Sequence, residues 1–266
     1  MALINLSTFT DKKQSHSICA LKHKRKDHLL MFRFYYVVII SIFHEIYYLL
    51  RMNHIIRNKE HYTPEHRYAI VRNVIRFIKI NGIIFTKSYG KENLPQEGGY
   101  IMFPNHQGKY DACGIIYTHK KRCSFVIDKK KANMPILKQI LALSDSLPLE
   151  IDNVRQSIGV IKEVADRVKN GERFFIFPEG GYTNNRNNLQ EFKAGCFKAA
   201  LMAKCPIVPV VLVDSWKVFN YIGLGHVRTK VFYLPVIPYE EYKDMKTHEI
   251  ADMVKERIEE VLCQYR

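Results

Sequence analysis

The chain has no C-x-x-C pair, and its six cysteines, Cys19, Cys113, Cys123, Cys196, Cys205 and Cys263, are scattered. That spacing suits neither a zinc site nor a disulfide framework, so it predicts reduced thiols, no bound metal and a cytosol-facing protein. No G-x-S-x-G motif is present, which removes the serine elbow of the α/β-hydrolases. Internal repeats and low-complexity linkers are missing as well, so no solenoid or array is expected. Nor is there an uninterrupted apolar run of about 20 residues, the length a membrane-spanning helix needs.

Apolar residues are plentiful, 47% of the 266. That is enough for one sizeable α/β domain with a smaller appendage, and it excludes global disorder. The net charge of +15 is unevenly placed. Residues 1–30 carry six Lys or Arg against two acids, 51–92 nine against three, and 120–138 seven against one. Residues 139–266 balance at seventeen of each sign. A basic N-terminal half matches an anionic lipid surface, at about 1 kcal/mol for each Lys or Arg near it. Phosphate backbones attract the same charge. A nucleic-acid binder, however, needs aromatics and cations together on one strand face or a recognition helix, and neither is legible, so no nucleic acid is expected.

The apolar segment beside this charge is Leu29–Leu50, where Arg33, His44 and Glu45 leave only Phe34–Phe43 uncharged. Flanking Arg51 and the aromatics Tyr35, Tyr36, Tyr47 and Tyr48 suit a helix lying in the membrane interface. A buried core helix is the competing reading, because the length fits that class too. A signal peptide is disfavoured, since no small-residue cleavage site follows. Residues 1–28, basic and without periodicity, read as a disordered tail. Tyr68, Val71, Val74, Ile75 and Ile78 recur at helical spacing and Asn81-Gly82 stops that helix, so residues 29–82 form a helical membrane-associating segment.

From residue 83 strands and helices alternate. Strands are expected at Ile83–Phe85, Tyr100–Phe103, Ser124–Ile127, Leu147–Leu149, Arg173–Phe177, Ile207–Val213 and Val231–Leu234. Helices are expected at Asp111–Lys121, Met134–Leu143, Val154–Lys169, Glu191–Ala203 and Thr247–Cys263. That order predicts an α/β domain over 83–266 with a mostly parallel central sheet flanked by helices.

Two short motifs lie just past predicted strands. Asn105-His106-Gln107-Gly108-Lys109-Tyr110-Asp111 follows the second, and Phe177-Pro178-Glu179-Gly180-Gly181 ends the fifth. In open α/β sheets that edge is where ligands bind. On a continuous helix two residues five apart are about 140° out of line. With His106 in a loop and Asp111 in the first helical turn, the carboxylate can reach one ring nitrogen and leave the other as a base. Asp111 can also serve as a helix cap, and the two roles are compatible. Gly180 and Gly181 allow close approach and free N–H groups for a phosphate or an oxyanion. Glu179 can bind a hydroxyl, orient a cation or cap the turn. The cations Lys109, Arg155, Arg186 and Lys193 fall on the same predicted edge, as phosphate ligands or as solvated surface charges. Asn105 is counted with them as a candidate substrate contact. No cysteine stands within two residues of His106 or Glu179, and Cys113 falls in a packed helix, so direct attack by a substrate hydroxyl is expected.

Asn105-His106-Gln107 with Asp111, then Phe177-Pro178-Glu179-Gly180, then Val208-Pro209-Val210 resemble three successive blocks of the glycerolipid acyltransferases, in their lysophosphatidate acyltransferase branch. The match runs from about Gly90 to Trp216 in order and spacing. The resemblance implies acyl transfer to the free hydroxyl of a lysophospholipid. It implies acyl-CoA or acyl carrier protein as co-substrate rather than a cofactor. It further implies His106 as base, Asp111 as its partner, Glu179-Gly180 in acceptor binding, and a membrane-associated enzyme at the cytoplasmic face of the cell membrane. Two departures concern arginine. After Pro148-Leu149 the first basic residue is Arg155, and Gly181-Tyr182 stands where the family has a small residue and arginine. Arg155, Arg186 or Lys193 can substitute, and a different acceptor head group fits equally. A lipid-binding protein of this fold without turnover is the alternative from another class.

Overall fold

The computed structural model describes residues 32–150, 153–220 and 225–266, with no side-chain description for 32–34. The expected tail 1–28, Cys19 and residues 151–152 of the arginine-poor segment therefore lie outside the described residues.

Seven strands form one sheet: β1 Ile84–Tyr89, β2 Tyr100–Pro104, β3 Ser124–Asp128, β4 Leu147–Leu149, β5 Arg173–Phe175, β6 Ile207–Val213 and β7 Val227–Tyr233. Their order is β1-β7-β6-β2-β5-β3-β4. Every neighbouring pair is parallel except β6 with β7, so β1 and β7 run against the other five. The described helices used below are α1 Phe32–Arg57, α2 Pro64–Asn81, α3 Asp111–Thr118, α4 Lys129–Ala132, α5 Leu137–Leu143, α6 Val154–Lys169, α7 Lys198–Ala203, α8 Lys217–Asn220, α9 Tyr239–Tyr242 and α10 Thr247–Leu262.

The two-residue alternation of each strand divides the core into two layers. Ile101 and Phe103 of β2 and Val211 and Val213 of β6 pack against α6, α7 and α10. Tyr100 and Met102, with Val208, Val210 and Leu212, pack on the other face against α1, α2, α3 and α5. Both faces being covered is why β2 and β6 are apolar runs rather than alternating strands.

Helix α1 joins the core and also faces outward. Val37, Ser41, Tyr48, Met52 and Ile55 are buried on its inner side. Tyr35, Ile39, Ile42, Phe43, Ile46, Tyr47 and Leu50 are exposed on the rest. One side of the element is thus that of a core helix, and the other presents apolar side chains at the surface. No described helix is long and apolar enough to cross a membrane.

Several expected elements shift: the first strand is Ile84–Tyr89 rather than Ile83–Phe85, and the last begins at Val227 rather than Val231. The helix expected from Met134 begins at Leu137, because Ile136 adopts φ 66°, a left-handed conformation costly for a β-branched residue. The helix expected from Glu191 is delayed: Ala194–Phe197 form a 3₁₀ turn and only Lys198–Ala203 are α-helical. The cause is the Lys193 N–H, which donates to the Pro178 carbonyl at 2.8 Å instead of to a preceding helical turn. The fifth strand leaves the ladder at Phe175 rather than Phe177.

Candidate active site

Asn105, at the end of β2, is fully buried and receives the Leu212 N–H (2.7 Å) while its amide donates to the Leu212 carbonyl (3.1 Å). It fastens β2 to β6 and has no face toward a ligand, which corrects its expected role as a substrate contact. The chain then turns so that α3 starts at Asp111, whose carboxylate is buried. Oδ2 accepts from His106 Nδ1 (2.7 Å), the Gln107 N–H (2.5 Å) and the Gly108 N–H (2.9 Å). Oδ1 accepts from Ser215 Oγ. An acceptor crowded by that many donors is an ionised carboxylate, and its bond to Nδ1 places the imidazole proton there. His106 Nε2 is left with no hydrogen-bond partner among the described residues. Asp111 thus ties down the loop and orients the ring at once.

The imidazole keeps 14% of its side-chain surface accessible. Phe177 stacks on it, with centroids 4.1 Å apart and planes 19° from parallel. Tyr182 meets it edge-on at 4.6 Å. The two motifs are joined through the backbone of His106: its N–H donates to Glu179 Oε1 (2.8 Å) and its carbonyl receives Asn185 Nδ2 (3.1 Å). Gln190 Nε2 donates to Glu179 Oε2 (2.5 Å) and to the Gly181 carbonyl (2.8 Å). Burial raises the Glu179 carboxyl above the ordinary range, against the Gln190 and His106 bonds that favour its charged form. Both oxygens are engaged within the protein, so Glu179 holds the His106 backbone in place rather than standing open to a ligand.

Gly180 has φ 69°, and a Cβ there would run into the Lys193 side chain, 2.8 Å from Nζ. The lysine tip can swing aside, so it is the positive φ that favours glycine here. Its N–H closes the turn on the Phe177 carbonyl at 3.1 Å, which corrects the expectation of a free donor at Gly180. The Gly181 N–H has no such bond among the described residues.

The cations divide. Lys109 is exposed beside His106, and Lys193 crosses Gly180. The Arg186 guanidinium lies over the Trp216 ring at 5.3 Å, next to Asn187, which receives Gln107 Nε2 at 2.9 Å. Arg155 is exposed at the start of α6, beyond β4, with β3 and β5 between that strand and β2. At about 4.8 Å per strand, β4 itself lies roughly 14 Å from β2 along the sheet, and no contact joins Arg155 to the cluster among the described residues. Burial pushes the Cys113 thiol up to about 12, which removes it as a nucleophile at neutral pH.

Sequence reasoning missed Ser215, Asn185, Asn187 and Gln190, as well as the contacts of Gln107 and Tyr182. Ser215 had a signal: it stands two residues past β6, as His106 stands two past β2. The amides had none, because Asn and Gln in a polar loop are ordinary.

An acyltransferase family model matches residues 86–213, which hold every element of this cluster except Ser215 and Trp216. The chain is 31% identical over 186 residues to the 1-acyl-sn-glycerol-3-phosphate acyltransferase of Saccharomyces cerevisiae, covering 66% of this chain and 59% of the yeast protein. It is 30% identical over 203 residues to the alpha form from Bos taurus, covering 70% and 66%. It is 25% identical over 229 residues to the probable enzyme of Mycoplasma pneumoniae, covering 77% and 82%. The chain therefore belongs to the acyltransferase family. The matched part spans about three-fifths of the yeast relative's length. The same fold occurs in the crystal structure of the 1-acyl-sn-glycerophosphate (LPA) acyltransferase of Thermotoga maritima, with a TM-score of 0.69 at 18% identity over 91% of this chain and 96% of that one.

Proposed function

We propose that the protein transfers a fatty acyl group from an acyl thioester, acyl-CoA or acyl carrier protein, to the free hydroxyl of lysophosphatidate or a similar lysolipid, a step of phospholipid biosynthesis. One observation carries the reading: His106 Nδ1 is fixed to Asp111 at 2.7 Å while Nε2 remains available. Nε2 takes the proton of the acceptor hydroxyl as its oxygen attacks the thioester carbonyl. The tetrahedral intermediate collapses, the C–S bond breaks, and the departing thiolate takes the proton back from Nε2. The products are the diacyl lipid and a free thiol. Asp111 stays ionised throughout and stabilises the imidazolium between the two proton transfers. An acyl-enzyme is not required.

The outward apolar side of α1 supports attachment to one leaflet at the cytoplasmic face, with the basic N-terminal half drawn to anionic lipid. Purified protein given lysophosphatidate and acyl-CoA is expected to release free thiol. His106→Ala should lose about 10²–10⁴-fold of that rate while melting at the wild-type temperature. Full turnover in that variant refutes the base. Sedimentation with lipid vesicles and no thiol release from the wild type would instead indicate a lipid-binding protein without turnover.

A further inference from the structure

Tyr182 touches the imidazole without any task in the proton transfers above. Its ring meets His106 edge-on, with centroids 4.6 Å apart and planes at 74°. Lys131 Nζ lies over the same ring, 4.9 Å from its centroid. Lys131 comes from α4, which follows the carboxyl end of β3 and so shares an edge with the ends of β2 and β5. Lys109, three residues past His106, is close enough for the Lys131 charge to add to burial in lowering its ammonium pKa. Lys193 crosses Gly180 on the neighbouring turn. Cations gathered against one another are relieved by an anion set between them. A ring face attracts an ammonium more weakly than an anionic oxygen does, so it can hold Lys131 beside the imidazole and still release it to a phosphate.

We propose that Lys131, carried on the face of Tyr182, and Lys109 bind the phosphate of the acceptor lipid and so set its free hydroxyl at Nε2 of His106. The assignment rests on the acyl-transfer reading. Tyr182 is a positioning residue: one part of its ring packs against the base and its face holds the cation. Lysine meets phosphate as a point charge rather than a bidentate fork. Selection is then by head-group charge, favouring a phosphomonoester over an uncharged glyceride.

CoA also carries phosphates, so the test separates donor from acceptor. In mixed micelles, kcat and KM are measured for lysophosphatidate and for monoacylglycerol, each with acyl-CoA and with an acyl N-acetylcysteamine thioester that lacks phosphate. Lys131→Ala is expected to raise the KM for lysophosphatidate about tenfold, the worth of one charge-assisted contact. The preference for lysophosphatidate over monoacylglycerol falls by the same factor, and the KM for acyl-CoA stays put. Tyr182→Leu reproduces the acceptor effect, and Tyr182→Phe, which keeps the ring face, rescues it. Lys162→Ala, an exposed charge on α6, changes neither KM. Equal melting temperatures keep a KM change from being read as unfolding. A rise confined to the acyl-CoA KM would assign Lys131 to the donor, and no change in either KM would make it a surface charge; both overturn the proposal. A wild type that releases no thiol with any acceptor removes the acyl-transfer reading, and this assignment with it.

Discussion

Two polar networks sit at opposite edges of the sheet, and they differ in what they leave over. At the amino edge, before β3, β4 and β5, Asp145 receives Lys59 (2.6 Å), Arg67 (3.0 Å) and Arg122 (2.9 Å). Arg122 and Arg167 meet Glu172 there as well, at 3.5 and 2.6 Å. Each carboxylate is shared by several cations, and all of these groups belong to the protein. Lys59 and Arg67 flank the turn between α1 and α2, so this network fastens the helical pair to the sheet. At the carboxyl edge, Asp111, Ser215, Gln107 and Asn187 satisfy one another, and Glu179 holds the His106 backbone. Among the described residues His106 Nε2 is left without a partner there, as are the buried Asn185 Oδ1 and Trp216 Nε1, whereas the amino edge leaves over the guanidinium Nε–H groups of Arg67 and Arg122. Ion pairing among charged groups stabilises the fold, whereas an imidazole nitrogen with an open lone pair can take up a proton, which a guanidinium N–H cannot. The contrast extends to the histidines. His119 is buried, with Nδ1 on the Lys121 carbonyl and Nε2 on the Tyr100 hydroxyl, each at 2.7 Å, so both nitrogens are used and it remains structural.

The largest effect expected from breaking this comparison is at the carboxyl edge. Asp111→Asn keeps the shape but permits the wrong tautomer, and acyl transfer should fall about 10³-fold or more with little change in melting temperature. Activity near wild type would show that Nδ1 needs no carboxylate. Glu179→Gln should act more mildly, since an amide oxygen can still receive the His106 N–H. A loss of roughly tenfold in kcat with the acceptor KM preserved is expected, because the residue acts through the position of the base. A rise in acceptor KM alone would return Glu179 to substrate binding.

The amino edge should respond oppositely. Asp145→Ala strands three cations and should cost about 2–4 kcal/mol of stability, read by denaturant unfolding, while kcat at permissive temperature is retained. The pH dependence follows the same division. Burial opposes ionisation of Asp145, but its hydrogen bonds to Arg67 and Lys59 outweigh that and hold the carboxyl down to about 2 from an ordinary 3.8. Its contribution is present above pH 3.8 and lost as pH falls towards 2, a span worth roughly 2 kcal/mol. Burial likewise pulls His119 from 6.5 to about 4, so its neutral form stabilises the fold above pH 6.5 and that support fades as pH falls through 4. Acid unfolding monitored by circular dichroism should therefore weaken in two stages, and His119→Gln should flatten the first. The smallest effect concerns attachment: Phe43→Asp on the exposed side of α1 should weaken vesicle binding while leaving turnover of a short-chain soluble acceptor within about twofold.

Much of this architecture was legible because burial on both faces makes parallel strands into plain apolar runs, as in Ile207–Val213. The pairing of His106 with Asp111 could be anticipated because a loop residue and a first-turn residue are local in sequence. Long-range contacts were not legible. Asn105 read as a ligand-facing amide because nothing local shows that its partner is Leu212, 107 residues on. The non-helical start of the 191–203 segment was masked by helix-forming residues, while the bond from Lys193 to Pro178 decides its backbone. Arg155 was placed by its position after a strand, yet strand order, which periodicity does not encode, sends that strand to the far edge.

The imidazole itself offers the most direct test. Nitrogen-15 spectra of the His106 ring, recorded above neutral pH and assigned with His106→Gln, should show the proton on Nδ1 and a bare Nε2. Asp111→Asn should move the population towards the Nε2–H form. A wild-type ring protonated at Nε2 would contradict the account, since the atom said to await the acceptor hydroxyl would then have no lone pair to receive its proton.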